Sequence, residues 1–401
     1  MNQRQLLARL FILGIFCVLN STGYSQNLKS FSIPFQTSNN LVIVQATVNG
    51  SKPLSFILDT GASGTVISEN AAKDLGLKLE GQADASTQGG SIEAAFVKNV
   101  SLRLSKDVEL PNLTLAAIRL SGLEAGLGRK VDGILGFEIF KRFVVEIDYA
   151  SKLVKFYEPR NYKYAGRGKT VSISIKDNTP FVRAEIFPVG KQPFEGEFLI
   201  DTGLTGTLNF NSPFVARNKL LELVPNTKSI TFGALLAGKS SGRIGRVNSF
   251  QFGGFVIEHP VANFSQDAAG DDSEAEVAGI IGSEVLRRFK LIVDYSRKQI
   301  ILEPNKQLSA AYEFDMSGAS LAAGGEGLKT FKVRSLIENS PAAEADLRVG
   351  DIITAINGKP TAEMTLEQIR RMFRRAEQTY KLSVKRKESP LEITLKTRRI
   401  V

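Results

Sequence analysis

An internal duplication runs through the first three hundred residues and limits the chain to folds with two equivalent halves. Ser55-Phe-Ile-Leu-Asp-Thr-Gly-Ala-Ser-Gly-Thr65 returns as Glu197-Phe-Leu-Ile-Asp-Thr-Gly-Leu-Thr-Gly-Thr207. Val131-Asp-Gly-Ile-Leu-Gly-Phe-Glu138 returns as Val277-Ala-Gly-Ile-Ile-Gly-Ser-Glu284, and Phe143-Val-Val-Glu-Ile-Asp-Tyr149 returns as Phe289-Lys-Leu-Ile-Val-Asp-Tyr295. The copies are 142 residues apart at the Asp-Thr-Gly aspartates and 146 apart at both later matches, so they stay nearly in register. Such self-similarity is the first thing an architecture must satisfy.

Within each copy, short apolar or alternating runs are bounded by Gly, Asn, Asp and Pro, which is the pattern of an all-β unit. The 35 glycines and the absence of tryptophan fit strands and turns better than a helical bundle. A strand pair is expected to open each copy, over 31–48 and 171–187. Helices are expected over 69–75, 138–142 and 284–288. A polar segment, 158–169, joins the copies, and another, 303–311, leads to a different kind of domain. The expected organisation is a first lobe over 26–162, a second over 163–307 and a C-terminal domain over 308–401.

Residues 1–25 read as an export signal. Arg4 and Arg9 precede an apolar run from Leu10 to Leu19, and Gly23 and Ser25 follow at the spacing a signal peptidase reads. The run is too short to span a bilayer. Cys17, the only cysteine, lies inside it, so a processed chain has no thiol and no disulfide, which fits a periplasm better than a eukaryotic secretory route, with an extracellular destination as the other option. The net charge of +10 is spread along the chain without a nucleic-acid-binding motif, so a basic solvated surface is expected and no nucleic-acid partner.

Asp-Thr-Gly alone is common enough to arise by chance in about one chain in ten of this length. A turn after a strand would also use Asp and Gly. Two copies, each after an apolar strand and each matched by an Ile-(Leu/Ile)-Gly segment, point instead to paired carboxylates at Asp59 and Asp201. Amide hydrolysis without a metal or a covalent intermediate needs a base to activate water and an acid to protonate the leaving amine. Two adjacent carboxyls share one proton, because both cannot ionise side by side, so one site supplies both functions. Gly61 and Gly203 are expected to let the loops turn tightly and bring N–H groups to the carboxylates. Thr60 and Thr202 are expected to bond across to the opposite loop.

The two Asp-Thr-Gly loops, with Ile134-Leu135-Gly136 and Ile280-Ile281-Gly282, resemble the pepsin and retropepsin aspartic peptidases, with both halves fused in one chain. The resemblance implies a bilobed acid-protease β fold, a cleft between lobes and endopeptidase activity on peptide or protein substrates, with no cofactor, no metal and no need to oligomerise. The shared proton is the established property of that family. Ala62 and Leu204 stand where pepsins usually carry Ser or Thr, and flaps are expected at the Gly-rich turns 87–91 and 238–242. The other repeated carboxylates, Asp148 and Asp294, sit at hairpin spacing and read as turn residues. His259, the only histidine, stands beside Pro260 and reads as a turn residue too. One histidine and no remaining cysteine exclude Ser-His-Asp and Cys-His catalysis and argue against a zinc site.

From Tyr312 the pattern changes. The stretch from Asn339 through Ser340, Pro341, Leu347, Gly350 and Asp351 to Gly358 resembles a bacterial PDZ domain, with Asp346 where Gly is usual. Thr365 and Gln368 form a capping box ahead of an apolar stripe of Leu366, Ile369 and Phe373. The resemblance implies a small α+β domain whose carboxylate-binding loop is Gly318, Ala319, Ser320 and Leu321. A peptide ligand would add as a strand between that edge and the helix bearing Leu366 and Ile369. Arg370, Arg371, Arg374 and Arg375 read as a solvated face. The function expected is a secreted aspartic endopeptidase whose PDZ domain recruits or gates substrate. The alternative is a decayed peptidase that only binds peptides.

Overall fold

The computed structural model describes residues 30–401 apart from 88–89, 189–191, 234–238 and 269. The expected export segment with Cys17 lies outside the described residues. Each expected opening pair is a strand triplet: Ser30–Pro34, Gln36–Ser38 and Leu41–Val48 in the first lobe, Lys169–Ser172, Ser174–Lys176 and Thr179–Phe187 in the second. The last two strands of each triplet are joined by two-residue turns at Asn39-Asn40 and Asp177-Asn178. All four turn residues have positive φ, between 45° and 74°. Asn and Asp tolerate that region, and it gives a tight hairpin the twist its strands require.

The strand ending at each Asp-Thr-Gly runs parallel to its lobe's Gly-Ile-(Leu/Ile) strand. Phe56, Ile57 and Leu58 face Gly133, Ile134 and Leu135, and Phe198, Leu199 and Ile200 face Gly279, Ile280 and Ile281. Parallel neighbours need a long crossover, and the rest of each lobe's sheet supplies it. Between the lobes lies a six-stranded sheet in the order Ser30–Pro34, Leu153–Tyr157, Val144–Asp148, Phe289–Asp294, Gln299–Pro304, Lys169–Ser172. Its two central strands come one from each copy and pair antiparallel at Val145–Val293 and Ile147–Leu291. One apolar core runs from Phe56 and Phe156 through to Phe198, Phe250 and Phe289, all fully buried, so the lobes share an interior.

Asp148 Oδ1 accepts from the N–H groups of Ala150 (2.9 Å) and Ser151 (3.2 Å), and Asp294 is bonded by Arg297. Expected as turn residues, both are instead the last residues of their strands, and their carboxylates cap the turns that follow. His259 is exposed at φ 49° and its N–H donates to the Asn248 carbonyl, again in a turn. One of the expected flap turns is different. Gly242 lies inside strand Lys239–Arg246, paired with Ile230 on one side and Ser265 on the other, because its run is extended and bonded on both edges. Gly238, like residues 88 and 89, lies outside the described residues. No helix among those described is long and apolar enough to cross a membrane.

The C-terminal region has its own core around Phe331, Val333, Ile353, Leu366, Ile369 and Phe373. Helix Leu366–Phe373 opens with the expected reciprocal cap: Thr365 Oγ1 accepts from Gln368 N–H and Gln368 Oε1 accepts from Thr365 N–H. Asp346 takes the left-handed conformation, at φ 61°. The arginine face is not uniformly solvated. Arg371 and Arg375 are exposed, whereas Arg370 is turned inward and its Nη2 donates to the Leu321 carbonyl at 3.2 Å. Its position beside Ile369 carries the guanidinium across to the neighbouring strand.

Arg288 anchors the connection between the second lobe and this domain. It is fully buried, lies 3.4 Å from the Tyr312 ring centroid, and donates to the carbonyls of Glu284, Gln307, Ala310 and Ala311. Glu284 supplies its counter-charge. Removing one member of such a buried network strands the others. Arg288→Ala is expected to lower unfolding free energy by about 3 kcal/mol, read by urea denaturation. Arg288→Lys is expected to recover only part of the loss, because an ammonium cannot reproduce the planar fork.

Candidate active site

Asp59 and Asp201 directly follow equivalent strands, Leu54–Leu58 and Phe194–Ile200, and the duplication brings their carboxyls together as a hydrogen-bonded pair at the lobe boundary. Each backbone N–H of these residues is fixed from below: Asp59 donates to the Leu135 carbonyl and Asp201 to the Ile281 carbonyl, both at 3.0 Å. The Ile-(Leu/Ile)-Gly segments therefore lie directly beneath the pair. Gly136 and Gly282 have no room for a side chain against the loop carbonyls of Ala62 and Leu204.

Thr60 and Thr202 are fully buried and exchange four bonds across the lobe boundary. Thr60 N–H donates to Thr202 Oγ1 (3.0 Å) and Thr202 N–H to Thr60 Oγ1 (3.1 Å). The hydroxyls donate onward to the carbonyls of Ile200 (2.6 Å) and Leu58 (2.9 Å), the residues just before the opposite aspartates. Ser283 Oγ donates to the Thr202 carbonyl at 2.9 Å.

Gly61 and Gly203 act for a different reason than turn tightness. Neither has positive φ. A Cβ on Gly61 would stand 2.7 Å from Asp201 Cγ, and one on Gly203 would collide with the Asp59 carboxyl. Each glycine is thus the surface on which the other lobe's aspartate rests. Their N–H groups donate to their own aspartates, Gly61 to Asp59 Oδ1 (2.8 Å) and Gly203 to Asp201 Oδ1 (2.6 Å). Leu204 N–H adds a bond to Asp201 Oδ1 at 3.0 Å, so backbone at this position reaches the carboxylate that the side chain cannot bond.

Burial raises both carboxyls above the ordinary aspartate range. For Asp201 the charge of Asp59 and the bond between the two push further the same way, and its proton is held well above that range. The backbone N–H groups oppose the rise without cancelling it. One proton shared between two carboxyls is the state this geometry favours.

Several participants were not anticipated. Asn40 Nδ2 donates to the Thr205 carbonyl (3.2 Å) and to Glu284 Oε2 (2.7 Å), and Asn178 Nδ2 donates to the Ser63 carbonyl (3.1 Å). Each lobe's opening turn thereby braces the other lobe's Asp-Thr-Gly loop. The signal was present as an Asn at the same place in both copies, but only the tertiary fold shows its partner. The hairpin of Glu80–Thr87 and Gly90–Ser105 meets the second lobe, where Ser86 Oγ donates to Asp271. Behind that hairpin, Ala85, Ile92 and Ala62 pack on an apolar cluster that includes Ile43, Ile57 and Ile134 and, from helix Ser121–Leu127, Leu123 and Leu127. The Leu120, Leu123, Leu127 spacing and Gly128 after it signal that helix, although Gly122 and Gly126 weaken its propensity.

The expected peptide-binding residues are placed as follows. Gly318 has φ 79°; Ala319, Ser320 and Leu321 begin the edge strand Ala319–Gly324; Leu366 and Ile369 face the core from the helix. Two of the loop's N–H groups are already used. Gly318 N–H donates to Asp315 Oδ1 (2.7 Å) and Ala319 N–H to Ser317 Oγ (3.0 Å), so neither is free to receive a peptide carboxylate. Asp315 reaches the Gly318 N–H because it stands three residues back on the same turn.

The asparagine braces have a measurable consequence. Asn40→Gly and Asn178→Gly keep the positive φ while removing the donors. Asn40→Gly breaks two bonds and is expected to cost about 2 kcal/mol, and Asn178→Gly about 1 kcal/mol, by chemical denaturation. Equal losses would mean that the bonds to the opposite loops are not what these residues contribute.

Residues 44–139 match the family model for an aspartyl protease, and residues 332–386 match that for a PDZ domain. The first match contains Asp59 and Ile134-Leu135-Gly136; the second lobe is related to it by the duplication. No curated protein matches the chain. Among solved structures, an aspartic proteinase from Irpex lacteus is similar, at 15% identity over 70% of this chain and 99% of that chain, with a TM-score of 0.45. The chain carries an aspartyl protease-like domain followed, near its C-terminus, by a PDZ domain.

Proposed function

We propose that this chain is an exported aspartic endopeptidase in which Asp59 and Asp201 activate a water for attack on a peptide carbonyl. The observation that carries the reading is the reciprocal Thr60–Thr202 network, which holds two hydrogen-bonded carboxyls together across the lobe boundary. The ionised carboxylate takes a proton from water as its oxygen bonds to the carbonyl carbon. The protonated partner gives its proton to the carbonyl oxygen, forming a neutral tetrahedral diol. The protonated carboxyl then gives its proton to the amide nitrogen while the other carboxylate takes one from a diol hydroxyl, so the C–N bond breaks, a carboxylic acid and an amine are released, and the pair is again singly protonated. The hairpin latched by Ser86 to Asp271 covers the cleft, suiting an extended substrate strand beneath it. The PDZ domain recruits or gates substrate, and residues 1–25 direct export.

Asp59→Asn and Asp201→Asn are each expected to reduce kcat/KM on a peptide substrate by about a thousandfold or more. The melting temperature should change by no more than a few degrees, because Asn is nearly isosteric and carries no charge. Substantial activity in either variant would refute the shared-proton assignment.

The pH dependence follows from the raised pKa values. A carboxyl whose folded pKa exceeds its unfolded one binds more protons in the native state. It therefore stabilises the fold most at low pH, and that contribution is lost as pH rises from the ordinary aspartate range through the raised value. The singly protonated pair accordingly survives to higher pH. The kcat/KM profile is expected to peak at roughly pH 5–6, above the strongly acidic range of pepsin. A maximum below about pH 4 would contradict this. Ala62→Ser with Leu204→Thr adds hydroxyl donors beside the carboxylates and is expected to move the acid limb downward.

A further inference from the structure

Helix Ser121–Leu127 of the first lobe packs along the edge strand Ala319–Gly324, on the side where a peptide strand would add. Gly128, the left-handed cap of that helix at φ 70°, abuts the start of the groove helix, where a Cβ would stand 2.7 Å from Leu366 Cβ. Leu366, which Gly128 abuts, is fully buried. The half-buried Arg129 next in sequence is attracted by Glu367. The strand's own Leu321 carbonyl is already taken by Arg370. Leu123 and Leu127 of the same helix belong to the apolar cluster against which Ala62, three residues after Asp59, and the hairpin residues Ala85 and Ile92 pack.

We propose that helix Ser121–Leu127 is an intramolecular occupant of the PDZ groove, and that an extended apolar peptide enters only by displacing it. Displacement withdraws support from the hairpin that Ser86 latches over the cleft, so a groove ligand accelerates cleavage. The link to cleavage rests on the peptidase reading above; the occupancy does not. A ligand competing with an internal occupant sees its affinity reduced by the fraction of open molecules.

The test uses the full chain. Gly128→Asn keeps the left-handed backbone, which Asn tolerates, and drives a Cβ against Leu366. Arg129→Glu puts a like charge beside Glu367 without touching either core. The probe is an immobilised mixed pool of nonapeptides with free C-termini. Gly128→Asn is expected to bind the pool about tenfold more tightly than the wild type, and Arg129→Glu about two- to threefold. Hydrogen exchange should quicken in Ser121–Leu127 and Ala319–Gly324 and stay unchanged in Thr379–Arg386, which reports an intact PDZ core. Equal capture by all three proteins overturns the occupancy, as does faster exchange without better capture. Better capture without a faster peptidase rate overturns the link to the cleft. If none of the proteins cleaves a peptide, the peptidase reading fails while capture and exchange still decide the occupancy.

Discussion

Two carboxyls pressed together inside a protein repel one another when both are ionised, and the rest of this structure is arranged around that repulsion. Unit charges about 4 Å apart at a protein-like effective dielectric repel by about 4 kcal/mol. A net hydrogen bond contributes about 1 kcal/mol, so the four bonds exchanged by Thr60 and Thr202 are of the same order and leave little over. A shared proton removes the repulsion, and burial keeps that proton in place. The threonines then set geometry: each grips the backbone just before the opposite aspartate, so neither lobe can shift without breaking the other's contacts.

This reciprocity explains why the lobes share a core. A pair of independently folded halves would transmit every hinge movement to Asp59 and Asp201. Here the central sheet pairs Val145 with Val293 across the pseudo-symmetry axis, and the apolar interior is continuous through Phe156 and Phe289. Asn40 and Asn178 repeat the exchange nearer the cleft. Glu284 extends it outward, because it accepts from Asn40 and also neutralises Arg288, whose donors hold the carbonyls leading to the PDZ domain. The third domain is thus tied to the same network that braces the aspartates.

The fold was legible to the degree that it repeats. Matching Asp-Thr-Gly and Ile-(Leu/Ile)-Gly segments announced two lobes and the strands under each aspartate, because a parallel strand buried on both faces must be an apolar run. Thr365 and Gln368 announced the groove helix through local cap chemistry. Less legible were features whose partners lie far along the chain. Arg370 read as one of four solvated arginines until its carbonyl partner at Leu321 was visible. Gly242 read as a flap turn, although it is bonded on both sides within a strand. Gly61 and Gly203 read as turn residues, whereas their lack of a side chain makes room for the aspartate carboxyl of the other lobe.

Spacing along the chain determined which side chains this protein brings to its cleft: one aspartate per copy, each on a glycine-bearing loop after a buried strand. Periodicity and cap residues act over a few residues, so they are written locally and can be read locally. Which atom meets which across the lobes was decided only by the tertiary structure. The brace from Asn178 to Ser63, the latch from Ser86 to Asp271 and the seating of helix Ser121–Leu127 against Leu366 all join segments more than a hundred residues apart. Contacts of that kind depend on how complete lobes pack, since packing fills space and satisfies donors wherever the chain happens to bring them, leaving no local pattern in the residues that take part.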